Sequence, residues 1–560
     1  MKNIKYIAFF LLSLLMVTGC SDWLKEENKT SVTSDFLYSN PQALERAVIA
    51  LYAIDRSYFR LADTSSPFAY MLDIGTDLDW FRGGEGATFA NYDALNSKNT
   101  NVSDFWTQQY GIIGKCNEIL AAAQTMEQDS LVKKVIGEAS LFRAHAYYWL
   151  MIKFGRLYLT TTPVTYDNIG KTTYTPAPEA DIWNLINSDL DVAINNLSWN
   201  KSIPGRFNKG VAKHIKALVA MWNKNWQEAI KQTEDIFASG QYSLLPAPQD
   251  VFDGGKWGAP GDLNHSETIF AYQFKNDVGG GGTIVDGLFR GHRLGIITVA
   301  QYRTVTNSLC NYDFGCYGWG RLAPNNYLFS LYKDKVKDKR YQQYFRHYFT
   351  YWAPETLPSP NPQGKVVGDT IVPTAAKYWD LSLHPQCKKF EDKWTALAPA
   401  QTSSFKDIIM YRLAETYLIA AEAYMNVGNQ AKAREYYNKT WMRAGNAEET
   451  GEITLQMIMD EQARELCMEG HRFSFLKRIG KLTDQIRNYG GEFTTNPTAA
   501  GRNLGVKVPT SYKIDFSAYV PATAADRRYY FKDGYANWPI PQSEIDQMGA
   551  DNFPQWDAYK

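Results

Sequence analysis

Two short segments concentrate the side chains with the right chemistry to engage a ligand. In the first, Asp77-Leu78-Asp79-Trp80-Phe81-Arg82-Gly83-Gly84, an indole and a guanidinium stand beside two carboxylates in a glycine-ended loop, with Asn91 and Tyr92 following. In the second, Tyr312 to Arg321, Tyr317 and Trp319 alternate with Gly315, Gly318 and Gly320, which carry no side chain to shield the rings. Rings flanked by acids, amides and guanidinium groups suit a flat or ring-shaped ligand that stacks on the aromatic face and is hydrogen-bonded at its rim. Tyr302 and Arg303 are lesser candidates of the same kind. The competing reading of each ring is simple packing against loop backbone, and that of Asp77 with Asp79 is the acid pair of a hydrolase.

Other residue types invite catalytic readings that their spacing does not support. Glu415, Glu422, Glu461, Arg464, Glu469 and Arg472 recur at helical intervals, which favours ion pairs across helices over acid–base catalysis. The seven histidines (145, 214, 265, 292, 347, 384 and 471) show no metal-ligand spacing, and neither a G-x-S-x-G elbow nor a Walker-type loop occurs. The reading is therefore a protein with no catalytic residue, no cofactor and no metal ligand. Lys plus Arg equals Asp plus Glu at 59 each, so no net field draws the chain to nucleic acid. Cys116, Cys310, Cys316, Cys387 and Cys467 show no C-x-x-C spacing. Cys116 and Cys467 fit apolar helical faces, whereas Cys310 and Cys316 bracket a loop short enough for a disulfide if the geometry allows.

The elements that must position these loops are mostly helical. Leu141, His145, Tyr148 and Ile152 recur along one face of a helix from Glu138 to Phe154, with Gly155 as its stop. Similar periodicity marks Pro41 to Tyr58, Ile182 to Leu197, Val211 to Met221, Trp226 to Ser239, Ile408 to Asn426, Gln430 to Ala444 and Thr454 to Glu469. Tyr417, Ala421, Tyr424, Gly428, Ala433 and Tyr437 fall at tetratricopeptide offsets, with small residues where two helices must approach closely. From Leu244 to Ala400 the pattern breaks into glycine clusters, prolines and scattered aromatics, the mark of long loops with short strands. The fold class expected is mainly α, with tetratricopeptide-like helix pairs and a loop-rich inserted region carrying short strands.

The N-terminus supplies an address. Lys2 and Lys5 precede an apolar run from Tyr6 to Val17, too short to span a bilayer as a helix, and Leu15-Met16-Val17-Thr18-Gly19-Cys20 closes it. This reads as a lipoprotein signal, 1–19, whose removal leaves Cys20 as an acylated N-terminus, with 20–40 as a tether. The remaining divisions are 41–243 for the first helical part, 244–400 for the loop-rich region and 401–560 for the C-terminal helices.

Together these segments resemble the SusD-like (RagB/SusD) family of Bacteroidetes outer-membrane lipoproteins. The likeness rests on Cys20-Ser21-Asp22-Trp23-Leu24, on Leu141 to Leu150 with its similarity to an "RAxAYxxL" helix, and on Asn225-Trp226-Gln227-Glu228-Ala229 with the exit Ser239 to Leu244. It extends through Arg412 to Ala423, Arg443-Ala444-Gly445, Arg464-Glu465-Leu466, Glu469-Gly470-His471-Arg472 and Trp538-Pro539-Ile540-Pro541. Gln462, Ser474 and the tail after Asp551 depart from the pattern. The resemblance implies a protein without chemistry of its own that binds oligosaccharide at the cell surface and caps a SusC-like TonB-dependent transporter. A sugar ring offers an apolar C–H face and a hydroxyl rim, so the implied ligand contacts are Asp77, Asp79, Trp80, Arg82, Tyr92, Tyr302, Tyr317 and Trp319. Peptide capture, a glycoside hydrolase and a tetratricopeptide adaptor are the alternatives.

Overall fold

The computed structural model describes residues 38–57, 74–81, 89, 92, 95–165, 168, 170, 174–276, 291–372, 382–490 and 531–560. Cys20 and Arg82 lie outside the described residues, as does the side chain of Trp80.

The N-terminal part is a stack of packed helices: α1 (Pro41–Arg56), α2 (Thr100–Gln124), α3 (Ser130–Phe154), α4 (Glu179–Asn196), α5 (Lys209–Trp222) and α6 (Trp226–Ala238). Asn40, Asn99, Asp129, Asn208 and Asn225 cap their helices by accepting backbone N–H bonds through the side chain. Helix α3 is buried on nearly every face from Gly137 onward, and it ends at Gly155, whose φ of 67° is left-handed. Its polar groups are paired inside: Arg143 grips Asp189 of α4 through two bonds of 2.8 Å, and Glu138 accepts from Arg206. Helix α2 was anticipated only as an apolar face at Cys116, yet its interior stripe (Val102, Phe105, Ile112, Cys116, Ile119, Ala123) has the expected helical period.

The loop-rich region contributes β2 (Thr268–Tyr272), β3 (Leu322–Pro324), β4 (Phe345–Arg346), β5 (Phe349–Thr350), β6 (Thr370–Ile371), β7 (Gln386–Cys387) and the short helices α7 (Leu294–Thr298), α8 (Asn326–Ser330) and α9 (Arg340–Gln343). A satellite core of Val299, Tyr302, Phe314, Phe349, Tyr351, Ile371 and Leu383 sits beneath it. The thiols of Cys310 and Cys316 are both free; the latter donates to the Asp392 carbonyl at 3.2 Å.

The C-terminal part holds β8 (Ile408–Arg412), α10 (Leu413–Asn426), α11 (Gln430–Arg443), α12 (Leu455–Leu466), α13 (Arg472–Arg478), α14 (Leu482–Tyr489) and α15 (Gln542–Met548). Residues 408–412, read from sequence as the start of a helix, form β8 instead. Its five residues are all buried and pair antiparallel with β2, a setting that suits β-branched Ile408 and Ile409. The α10–α11 pair has the expected tetratricopeptide contact, with Ala421 and Ala433 fully buried and Gly428 making the turn at φ 78°. Cys467 is buried just beyond α12, as its C-cap, and not on a helical face.

The late acids and arginines form scaffold, as their spacing suggested. Arg412 of β8 bonds Glu267 at 2.9 Å, Glu465 at 2.7 Å and Glu469 at 2.7 Å, while Arg340 bonds Asp338, Glu461 and Glu465. Arg443 adds Glu267 and Glu465, Lys389 adds Glu469, and Arg464 adds Glu461. Burial alone would favour the neutral form of Glu465, but Arg443, Arg412 and Arg340 outweigh it and hold the carboxyl well below the usual range. The network bolts the loop-rich region to the C-terminal helices. Gln462 has a reason to differ from the resembled pattern: its side chain accepts from Arg472 at 2.8 Å, where an arginine would bring a second cation.

Candidate ligand-binding site

The two aromatic segments, more than two hundred positions apart in the chain, meet through a two-stranded sheet. Strand β1 (Asp79–Phe81) pairs antiparallel with β3, placing Asp79 opposite Pro324, Trp80 opposite Ala323 and Phe81 opposite Leu322. Asn325 locks this junction. Its side chain caps α8 by accepting from Leu328 N–H at 3.0 Å, and its amide donates to the carbonyls of Asp77 and Tyr489, each at 2.9 Å.

Behind β1 lies a tight turn at Gly75, whose φ is 81° and whose space is closed: a Cβ there would stand 2.3 Å from the Phe89 carbonyl oxygen. Asp79 closes the turn by accepting from the Thr76 N–H at 3.0 Å and the Gly75 N–H at 3.2 Å. The Tyr92 hydroxyl donates to the Gly75 carbonyl at 2.7 Å, and its ring packs on Phe531. Asp77 is 0% exposed and held by Arg472 through two bonds of 2.8 and 2.6 Å. Asp77, Asp79 and Tyr92 therefore stand as supports of the loop and not as its outer surface; their polar atoms are committed to the scaffold.

The second segment is laid along α7. The Trp319 N–H donates to Ile296 O at 2.7 Å, Gly320 N–H to Val299 O and Arg321 N–H to Ile297 O. Gly318 permits this close approach, since a Cβ would fall 2.2 Å from Ala300 O and 2.5 Å from Val299 O. With the backbone pressed inward at Gly318, Tyr317 and Trp319 on either side remain half-buried. Tyr302 is a strut: it is 0% exposed, donates to Cys316 O at 2.5 Å and accepts from Asn311 N–H at 2.7 Å, bracing the loop that carries Tyr317. Its expected place in the ligand surface is corrected accordingly.

Sequence reading missed one of the three groups that frame these rings, Arg293. The Arg303 guanidinium lies 4.2 Å from the Tyr317 ring centre, while Arg293 and Arg321 lie 5.5 and 5.8 Å from that of Trp319. Arg321 closes the quoted segment and Arg303 was a lesser candidate, but no local pattern brings Arg293 to Trp319; the α7 backbone does. A separate cleft of about 460 Å³ opens near Tyr312, lined also by Phe252, Tyr344, Lys388 and Trp394. Most charges there are spent on each other: Arg346 pairs with Glu391 at 2.8 Å and Lys393 with Asp313 at 2.9 Å.

A helical-repeat scaffold thus joins two distant aromatic segments by a strand pair, with Asp77 and Asp79 committed to its structure. A SusD family model matches residues 266–556, more than half of the chain, and a second, described as starch-binding and associating with the outer membrane, matches 22–217. The chain belongs to the SusD family. It is 24% identical over 542 residues to SusD-like protein P25 of Formosa agariphila, covering 90% of this chain and 95% of that one. Among solved structures, a laminarin-binding SusD-like protein superposes with a TM-score of 0.67 at 21% identity, covering 92% of this chain and 99% of its own. A structure with a xylogluco-oligosaccharide superposes at 0.63 with 19% identity, covering 90% and 97%. These likenesses show the shared fold.

Proposed function

We propose that the chain captures a glycan on the surface formed by Tyr317 and Trp319 beside the strand bearing Trp80, and passes it unaltered to a SusC-like TonB-dependent transporter. The observation that carries this reading is the β1–β3 pairing, which joins the two aromatic segments into one neighbourhood. The ring faces and the guanidinium groups around them match the C–H face and polar rim of a sugar. The laminarin and xylogluco-oligosaccharide associations of proteins with this fold support the ligand class. Binding without turnover follows from the commitment of Asp77 to Arg472 and of Asp79 to its turn, which leaves neither acid available as the pair a hydrolase needs. Acylation at Cys20 would hold the protein on the outer membrane, facing the medium, while the tether lets it move over the transporter.

The test is affinity electrophoresis of the mature protein against a panel of polysaccharides, with reducing-end release measured alongside. Retardation by at least one polymer, lost by about tenfold in affinity in Trp319→Ala, is the expected result, since each tenfold step is about 1.4 kcal/mol and buried ring contacts are worth about that. Unchanged affinity in Trp319→Ala, or release of reducing ends, overturns the reading.

A further inference from the structure

Three guanidinium groups frame the aromatic surface without a carboxylate to neutralise them. Arg293, Arg303 and Arg321 are each half-buried, and none makes an ion pair among the described residues. The Nε atoms of Arg293 and Arg303 are buried and have no hydrogen-bond partner there. The contrast is with the many enclosed arginines that carboxylates pair in this chain of zero net charge: Arg143 with Asp189, Arg346 with Glu391, Arg412 with Glu465, Arg472 with Asp77 and Arg478 with Glu422. The acids of the first segment, Asp77 and Asp79, are occupied by Arg472 and by the turn at Thr76.

Resting on the glycan reading above, we propose that the ligand is an anionic glycan whose carboxylate or sulfate groups are read by Arg293, Arg303 and Arg321. Guanidinium offers a planar fork of N–H donors that matches a carboxylate or a sulfate with two parallel bonds, and a partly desolvated setting strengthens such charge-assisted bonds. Tyr317 and Trp319 then serve twice. Each ring has a guanidinium nearby, with Arg303 at 4.2 Å from the centre of Tyr317, and its solvent-facing part would meet the C–H face of a sugar. A neutral chain would supply the stacking but leave three cations without counter-charges. An acidic chain satisfies both.

The experiment titrates the mature protein with polygalacturonate as the uronate arm, carrageenan as the sulfate arm and laminarin as the neutral arm. It is repeated with Arg293→Gln, Arg303→Gln and Arg321→Gln, each checked by thermal melting, and with the three Arg→Lys variants, which keep the charge. The expected result is binding to one acidic arm, which names the anionic group. Each Gln variant should weaken it by about tenfold with partial rescue by Lys, and binding should fade toward about 1 M salt, where the Debye length is about 3 Å. Laminarin bound as tightly as the acidic polymers, with affinity lost in Trp319→Ala but intact in all Gln variants, overturns this proposal while glycan capture stands. Failure of both acidic polymers to bind overturns this proposal, and failure of every polymer in the wider panel overturns glycan capture as well. If a Gln variant melts early, its Lys counterpart carries the test: a folded Lys variant that binds the acidic polymer more weakly than the parent, with salt sensitivity kept, supports charge reading through the guanidinium fork, and unchanged affinity in all three Lys variants with salt-insensitive binding by the parent refutes it.

Discussion

Replacing Asp77 with Ala separates a scaffold role from a ligand role. Asp77 and Arg472 are both fully enclosed, and two bonds of 2.8 and 2.6 Å join them. Arg472 also donates to Met459 O and to Gln462, each at 2.8 Å, so it cannot swing out to water without breaking those bonds as well. Removing the carboxylate therefore leaves an uncompensated buried cation, which costs about 3–5 kcal/mol, two to three and a half powers of ten in the folding equilibrium. Asp77→Asn, which keeps the shape and one acceptor, should cost less. Asp77→Leu combined with Arg472→Met removes both charges and should recover most of the loss. The assay is urea unfolding followed by tryptophan fluorescence, with glycan affinity measured on the folded fraction. A clear fall in the midpoint for Asp77→Ala is expected, with recovery in the double variant. An unchanged midpoint together with a fall in affinity would refute the reasoning and return Asp77 to the ligand surface.

Three further outcomes follow from particular contacts. Gly318→Ala places a Cβ 2.2 Å from Ala300 O, so the segment carrying Tyr317 and Trp319 must shift; glycan affinity should drop by about tenfold with little change in the melting of the helical core, as read by circular dichroism and titration. Burial raises the Asp407 carboxyl to about 7 from 3.8, against the pull of the Phe274 and Leu263 N–H groups. The folded chain thus keeps a proton that the unfolded chain releases, so stability is full below about pH 4 and declines as pH rises through about 7; Asp407→Asn should flatten that part of the pH–melting curve. Cys20→Ala should leave glycan affinity in solution unchanged while releasing the protein from the outer membrane, checked by cell fractionation and by growth on the glycan.

How much was legible depends on how local each signal is. Helix α3, the stop at Gly155 and the α10–α11 turn at Gly428 are written in spacing along a few dozen residues, and the structure keeps them. Residues 408–412 misled because their apolar run runs straight into a true helix, and only pairing with β2, some 140 positions earlier, makes them a strand. The two aromatic segments stand out by composition, but the roles of the residues within them do not. Asp77, Asp79, Tyr92 and Tyr302 have the same residue types as ligand contacts, and whether such a group faces inward depends on its partners, here Arg472, the Gly75 turn and Cys316.

By itself the sequence determined the helical-repeat class, the family pattern and the two segments rich in aromatic rings, because periodicity, turn residues and motif spacing are properties of neighbours in the chain. Only the tertiary structure decided that these segments are joined through the β1–β3 pairing, that Asp77 and Asp79 are consumed by the scaffold, and that Arg293, Arg303 and Arg321 make no ion pair among the described residues beside Tyr317 and Trp319. The physical reason is that charge compensation and burial are set by contacts between residues far apart in sequence, and a buried acid and an exposed one are spelled alike.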